Sequence, residues 1–225
     1  MAQLFGTASK AVTPVAAGTA IGIRTWLDGT LAHLPWIEAL ALEGRVFTAN
    51  VGITTTPVAM SAAGIVLTAP SLTQVVPVGT TILPLEIAFY AEVVGTSAQL
   101  EMMAMSGKGG AVGSGGAAAN YVANHRSDSP IASTTTIRGG ADTSATAMTT
   151  NLNEFWRDGQ QFAITKTSMS ATVSSLDVNK WWWRRPDRGT GPVLVGDGTA
   201  QLMAYFTAQA LTGFISYTFV QIPSY

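Results

Sequence analysis

The sequence predicts an all-β chain folded as an antiparallel β-sandwich, and three observations carry that prediction. The first is the C-terminal region, which reads as two strands, Ala200–Ala208 and Gly213–Ile222, joined by a short polar link. In the second of these, Phe214, Ser216, Thr218 and Val220 fall on one side and Ile215, Tyr217, Phe219 and Gln221 on the other. Such period-2 spacing places side chains on opposite faces of a sheet. A strand used this fully, up to the end of the sequence, is expected of a closed sandwich that needs its last strand for packing. The second observation is the count of candidate strands, eight or more, separated by turn signals and long loops without a fixed-period repeat. The third is composition. Charged residues make up 11% of the chain, against a usual share of about 25%. Hydrophobic residues make up 47%, so the chain collapses rather than staying disordered. Low charge on a collapsed chain predicts that much of its surface is covered by subunit contacts, because charged residues are depleted at interface cores. The competing reading is a small monomer with a Thr/Ser-rich surface.

The elements follow in order. Residues 1–29 are apolar and small and read as an N-terminal arm, with a strand-like piece at Ala20–Leu27 and a turn signal at Asp28-Gly29. Thr30–Glu43 holds the one predicted helix, with Pro35 suited to its first turn and Leu34, Ile37 and Ala41 at helical spacing. Arg45–Thr54 is a strand in which Phe47, Ala49, Val51 and Ile53 alternate with polar or small residues. Ile65–Thr68 reads as a strand, and Ser71–Val76, lying between Pro70 and Pro77, as a short or edge strand. Leu85–Val94 is the strongest strand, and Gly95-Thr96-Ser97 turns it into Ala98–Met105, a hairpin in the middle of a sheet. The glycine-dense stretch 106–120 is a flexible, exposed loop. Short β-like pieces follow at Ser133–Arg138 and Ser144–Thr149, then a turn-containing element at Glu154–Gly159 and strands at Gln161–Lys166 and Thr172–Val178. Trp181–Gly189 reads as a second special loop leading into the terminal strand pair. No shift of composition marks a second domain, so 1–225 is expected to be one unit.

Charge and cysteine count exclude several classes. Twelve basic and thirteen acidic residues give a net charge of -1. With one lysine in the first ten residues, there is no basic arm to neutralise a genome, so tight nucleic-acid binding is not expected. The absence of cysteine excludes disulfides and thiolate metal sites. The start has no basic region followed by an apolar core, so no secretory signal is expected. No run of about 18 apolar residues occurs, so no membrane-spanning helix is expected.

Gly44–Gly52, Val76–Ile87, Glu92–Ser97 and the terminal Phe219–Pro223 together resemble single jelly-roll structural proteins of bacteriophages or phage-like virus particles. The likeness is one of strand order and flavour over about three quarters of the chain. It implies an eight-stranded jelly roll that self-associates into a capsid shell or decorates one, alongside other virion proteins. It also implies a virion location after synthesis in the host cytoplasm, and no catalysis.

Residue chemistry nominates one surface. Trp181, Trp182 and Trp183 stand in a row, followed by Arg184, Arg185 and Arg188. In an extended chain Trp181 and Trp183 face one way and Trp182 the other, so three such rings do not all enter one core. Guanidinium groups stack on indoles, and both residue types are enriched at interface hot spots. Trp181, Trp182, Trp183, Arg184 and Arg185 are therefore the candidate subunit interface. A corner of the core, or a platform for sugars or bases, competes with this reading.

Other motifs are weak. His33 and His125, the two histidines, have no further ligand at metal-binding spacing. Gly107-Lys108-Gly109-Gly110 lacks the order of a phosphate-binding loop, and Gly113-Ser114-Gly115-Gly116 lacks the nucleophile-elbow spacing. Glu86 and Glu92 share a strand face but stand about 20 Å apart by strand rise, against at most about 10 Å for paired glycosidase carboxylates. No catalytic residue, metal ligand or cofactor site is assigned. Two alternatives stand beside the shell protein: a carbohydrate- or receptor-binding jelly-roll module using Trp181–Trp183, and a hydrolase assembled from scattered residues.

Overall fold

A computed structural model describes residues 35–52, 55–60, 64–93, 99–113, 117–118, 121–141, 145–161, 180–185, 190–207 and 211–224. In chain order its elements are α1 (Trp36–Leu42), β1 (Val46–Val51), β2 (Val58–Ala59), β3 (Leu72–Val75), β4 (Thr80–Val93), β5 (Gln99–Lys108), β6 (Ala117–Ala118), β7 (Tyr121–Asn124), β8 (Thr136–Gly139), β9 (Thr150–Gln161), β10 (Lys180–Arg184), β11 (Leu194–Val195), β12 (Ala200–Thr207) and β13 (Thr212–Pro223). One sheet has the order β10-β4-β13-β1-β7, with β11 also on β4 and β2 on β13; the other has the order β6-β8-β3-β12-β5-β9. Every named strand pair is antiparallel.

Eight strands carry the sandwich, β1-β13-β4-β10 facing β3-β12-β5-β9. Along the chain β1, β3, β4 and β5 alternate between the sheets, β9 stays beside β5, and β10, β12 and β13 alternate again. That path is the jelly roll, two Greek keys wrapped into a double sheet. The last strand, β13, lies between β1 and β4. Its Ile215, Tyr217 and Phe219 face the core, as do Phe47, Ala49 and Val51 of β1. Phe89 stacks on Phe206 at 4.5 Å and Phe47 on Phe219 at 5.7 Å. Phe206 belongs to the second sheet, so the first of these pairs joins the two layers directly.

Several sequence expectations are corrected. Leu85–Val94 and Ala98–Met105 are not a hairpin: β4 pairs with β13 and β5 with β12, in different sheets. A half-buried strand followed by a tight turn looks the same whether it folds back in its own sheet or crosses the sandwich. Ile65–Thr68 forms a turn rather than a strand, closed by Ala69 N–H donating to the Val66 carbonyl at 2.8 Å. β3 is not an edge strand, because β12 and β8 flank it; its bounding prolines lie outside the paired residues. Glu154–Gly159 holds no turn and lies within β9. Trp181–Arg184 is a strand and not a loop. The stretch 106–120 is in part regular, since β5 runs through Lys108 and β6 adds Ala117–Ala118. Ser144–Thr149 contributes a single bridge, Thr146 to Ala111. The helix holds over its second half as α1; the 1–29 arm, residues 30–34 of the helix, the turn at 95–97, residues 162–166 of the Gln161–Lys166 strand and Thr172–Val178 lie outside the described residues.

Pro84 stands inside β4, an interior position that proline tolerates at a bulge. The register confirms one: Glu86 is opposite Thr218 and Pro84 opposite Phe219, so Leu85 is the extra residue. Near this bulge Leu85, Val46 and Val220 form an outer cluster of the first sheet, against which Ile37, Leu40 and Ala41 of α1 pack. The outer face of the second sheet is covered differently, with Met103, Met105, Met203 and Tyr205 packed against Ala145, Met148 and Ile65. The connection between β5 and β9 also closes one flank, adding β7 beside β1 and β8 beside β3. Among the described residues the opposite flank ends in β9 and in β10 with β11.

Candidate functional site

β10 turns the three tryptophans to two sides, as strand alternation requires. Trp181 and Trp183 are buried, at 6% and 1% exposure, while Trp182 is 46% exposed. Trp181 stacks on Phe89 at 6.2 Å, and Trp183 meets Phe155 of the second sheet edge-on at 4.9 Å. These two rings therefore close the core at its open flank, and Trp182 alone presents its indole outward. Lys180 Nζ and the Arg184 guanidinium carbon each lie 5.8 Å from the Trp182 ring centroid, within the range of cation–π attraction. Arg184 Nε also donates to Glu86 Oε2 at 2.9 Å.

Arg185 does something else. Its Nε donates to the Pro84 carbonyl at 2.7 Å and its other nitrogens to the carbonyls of Gly191 and Pro192. The side chain staples the segment leading into β11 to Pro84, beside the Leu85 bulge. Burial pushes its pKa down, partly countered by Tyr217. Gly191 leaves no room for a side chain, because a Cβ there would stand 2.7 Å from the Trp183 ring. Of the five candidate interface residues, Trp182 and Arg184 are at the surface, Trp181 and Trp183 are core, and Arg185 is a half-buried clamp. Arg188 lies outside the described residues.

Register extends this surface across the first sheet. Trp182 is opposite Ala88, Ala88 opposite Ser216, and Ser216 opposite Asn50. One pleat away run Arg184, Glu86, Thr218 and Thr48. Thr48 Oγ1 bonds Thr218 Oγ1 at 2.8 Å and His125 Nε2 at 2.7 Å. On the other side run Lys180, Tyr90 and Phe214. The first sheet's outer face thus has two parts, an apolar end under α1 and a mixed polar and aromatic end that no described residue covers. Phe214 and Ser216 were legible as one side of a strand; what the sequence concealed is that Tyr90, Ala88 and Asn50 stand beside them.

No family model, no curated protein and no solved structure matches this chain.

The other sequence candidates are dispersed. Lys108 ends β5 and pairs with Asp197 at 2.7 Å, so it serves a turn and not a phosphate. Glu86 is engaged by Arg184, and His125 by Thr48. His33 lies outside the described residues. Among the described residues no three of His, Asp and Glu stand close enough to hold a metal ion. No described helix is long and apolar enough to cross a membrane. The outward face presents an exposed indole between two cations, on an edge strand of the described sheet, beside a polar sheet surface.

Proposed function

We propose that the chain is a virion structural protein that self-associates into a capsid shell, or decorates one, without catalysis. The observation that carries this reading is the strand order β1-β13-β4-β10 over β3-β12-β5-β9, an architecture used for capsid tiling and for lectins alike. Fold alone does not decide between them. Two further features favour the shell: a charged fraction of 11%, and an open flank where Trp182, Val193 and Val195 are all about half exposed. An exposed indole desolvated by a neighbouring copy is the typical anchor of a protein contact. The contact is made by the outward face of β10, not by pairing of its edge with itself. Antiparallel pairing centred on Trp182 would set Lys180 opposite Arg184 of the second copy, and like charges opposite each other oppose such pairing.

The competing module that stacks sugars on Trp181–Trp183 has less support, because two of its three rings are core. Electron microscopy and light scattering of the purified chain test the proposal. Closed particles or rings are expected, and they persist in moderately high salt, since apolar contacts are not screened as ion pairs are. A monomer at micromolar concentration in both low and high salt overturns it.

A further inference from the structure

Inward of Trp182, over β1, β13 and β4, the outer face of the first sheet holds a hollow of about 420 Å³. That volume lies within the range of small-molecule sites. Its outward-facing lining is Asn50, Ala88, Tyr90, Lys180, Phe214 and Ser216. The hollow is made by the sequence at two places. Ala88 and Ser216 give a floor of small side chains where longer ones would fill the space. Gly52 has φ +96°, and a Cβ there would stand 2.6 Å from the Phe214 ring, which lies over the bare backbone instead. Tyr90 and Phe214 form one wall, ring centroids 6.4 Å apart and tilted by 43°.

We propose that this hollow binds a saccharide, specifically a pyranose ring that carries a carboxylate. An exposed tyrosine, 43% accessible, offers a flat apolar face to the C–H side of a sugar ring while its hydroxyl stays in water. The Asn50 amide and the Ser216 hydroxyl supply donors and acceptors at the floor, and the amide has both functions in one plane, as vicinal hydroxyls require. Among the described residues the charge is one-sided: Lys180 is the one ionisable side chain of the lining besides the Tyr90 phenol, and none of them brings a carboxylate to the hollow. A neutral sugar leaves that ammonium without a counter-charge; a carboxylate pairs with it. The site goes beyond shell building and does not rest on it, because a neighbour seated on Trp182 does not have to fill the hollow one strand further in.

Ligand-observed NMR and calorimetry with methyl β-glucuronide, a methyl sialoside and methyl β-glucoside test the proposal on the whole chain. At least one carboxylated sugar is expected to bind, with the neutral glucoside weaker by about tenfold, equivalent to about 1.4 kcal/mol. Tyr90→Ala is expected to lower the affinity for the carboxylated sugar by about tenfold or more, and Lys180→Gln to remove the preference for the carboxylate while keeping residual binding. Both side chains are exposed, and circular dichroism of each variant confirms that it is folded. Absence of binding by both carboxylated sugars, equal binding of the neutral one, or binding unchanged in both variants overturns the proposal. Saccharide binding and particle formation are separate readouts, so failure of one leaves the other standing.

Discussion

Tyr217 of one sheet donates a 2.6 Å hydrogen bond to the Oε1 of Gln74 in the other. Both side chains are fully buried, and the bond continues outward, since Gln74 Nε2 donates to Thr135 Oγ1 at 3.3 Å. Thr135 in turn contacts Ser133, whose hydroxyl donates to Gln221 Oε1 at 3.1 Å. A polar line therefore crosses a largely apolar interior and ends at the last strand. Burial raises the Tyr217 phenol well above its ordinary pKa, which keeps it a neutral donor.

Tyr217→Phe is expected to destabilise the fold by about 1–3 kcal/mol, because it leaves the buried Gln74 oxygen without its donor. Denaturant unfolding measures this. Tyr217→Phe combined with Gln74→Leu is expected to cost less than the sum of the two single changes. A single variant as stable as the parent would show that water reaches Gln74.

The tryptophan row gives two opposite outcomes from neighbouring positions. Trp183→Ala is expected to cost about 3–5 kcal/mol of stability, the range for removing a buried aromatic. Trp182→Ala is expected to leave the monomer folded and to weaken self-association by about 2 kcal/mol or more per contact. Thermal unfolding and particle size read the two effects apart. Unchanged assembly in Trp182→Ala would remove this ring from the contact.

Acid sensitivity is expected at the turn before β12. Asp197 pairs with Lys108 and accepts bonds from the Thr199 hydroxyl and from the Thr199 and Ala200 amides. The Lys108 bond first, and then the Thr199 donors, hold its carboxyl well below the usual carboxylate range. A lowered folded-state pKa contributes stability above the unfolded-state value, about 4, which is lost as pH falls through the folded one. Asp197→Asn is therefore expected to lower the melting temperature at pH 7, with the gap to the parent narrowing below about pH 4. An equal gap at pH 7 and pH 2 would contradict this account.

Genome binding by the isolated chain is expected to be weak, given a net charge of -1. Titration with single- and double-stranded nucleic acid at physiological salt checks it. Tight binding with a steep salt slope would reveal many phosphate contacts on a basic face that sequence order hides.

Much of the sandwich was legible because alternation survives in the sequence: Phe47, Ala49 and Val51, or Ile215, Tyr217 and Phe219, mark core faces without any knowledge of their partners. The same periodicity set Trp182 opposite Trp181 and Trp183, but which side faces out was decided by the packing of Phe89 and Phe155 and not by the sequence. Partnership was not legible. Whether β4 and β5 lie in one sheet or two depends on their partners, β13 and β12, which no local pattern encodes. Pro77 made β3 look like an edge, although it lies beyond the paired residues. Glu154–Gly159 looked like a turn because Asp158-Gly159 is a turn pair, yet β5 imposes extended backbone there, with Gly159 opposite Glu101. The hollow beside Tyr90 was invisible for the same reason. Its lining comes from four strands distant in sequence, and the small residues that make it are defined by side chains they lack.

The connection from β5 to β9 covers one flank with β7 and β8 and leaves the other to β9, β10 and β11. Beyond β7 and β6, four and two residues long, no further described strand pairs. An endless ribbon of sheets joined side by side needs two competent edges on every copy. Among the described residues the second sheet offers a twelve-residue edge on one flank and a two-residue stub on the other, so its two edges are poorly matched for the repeated side-by-side pairing that fibrous growth needs.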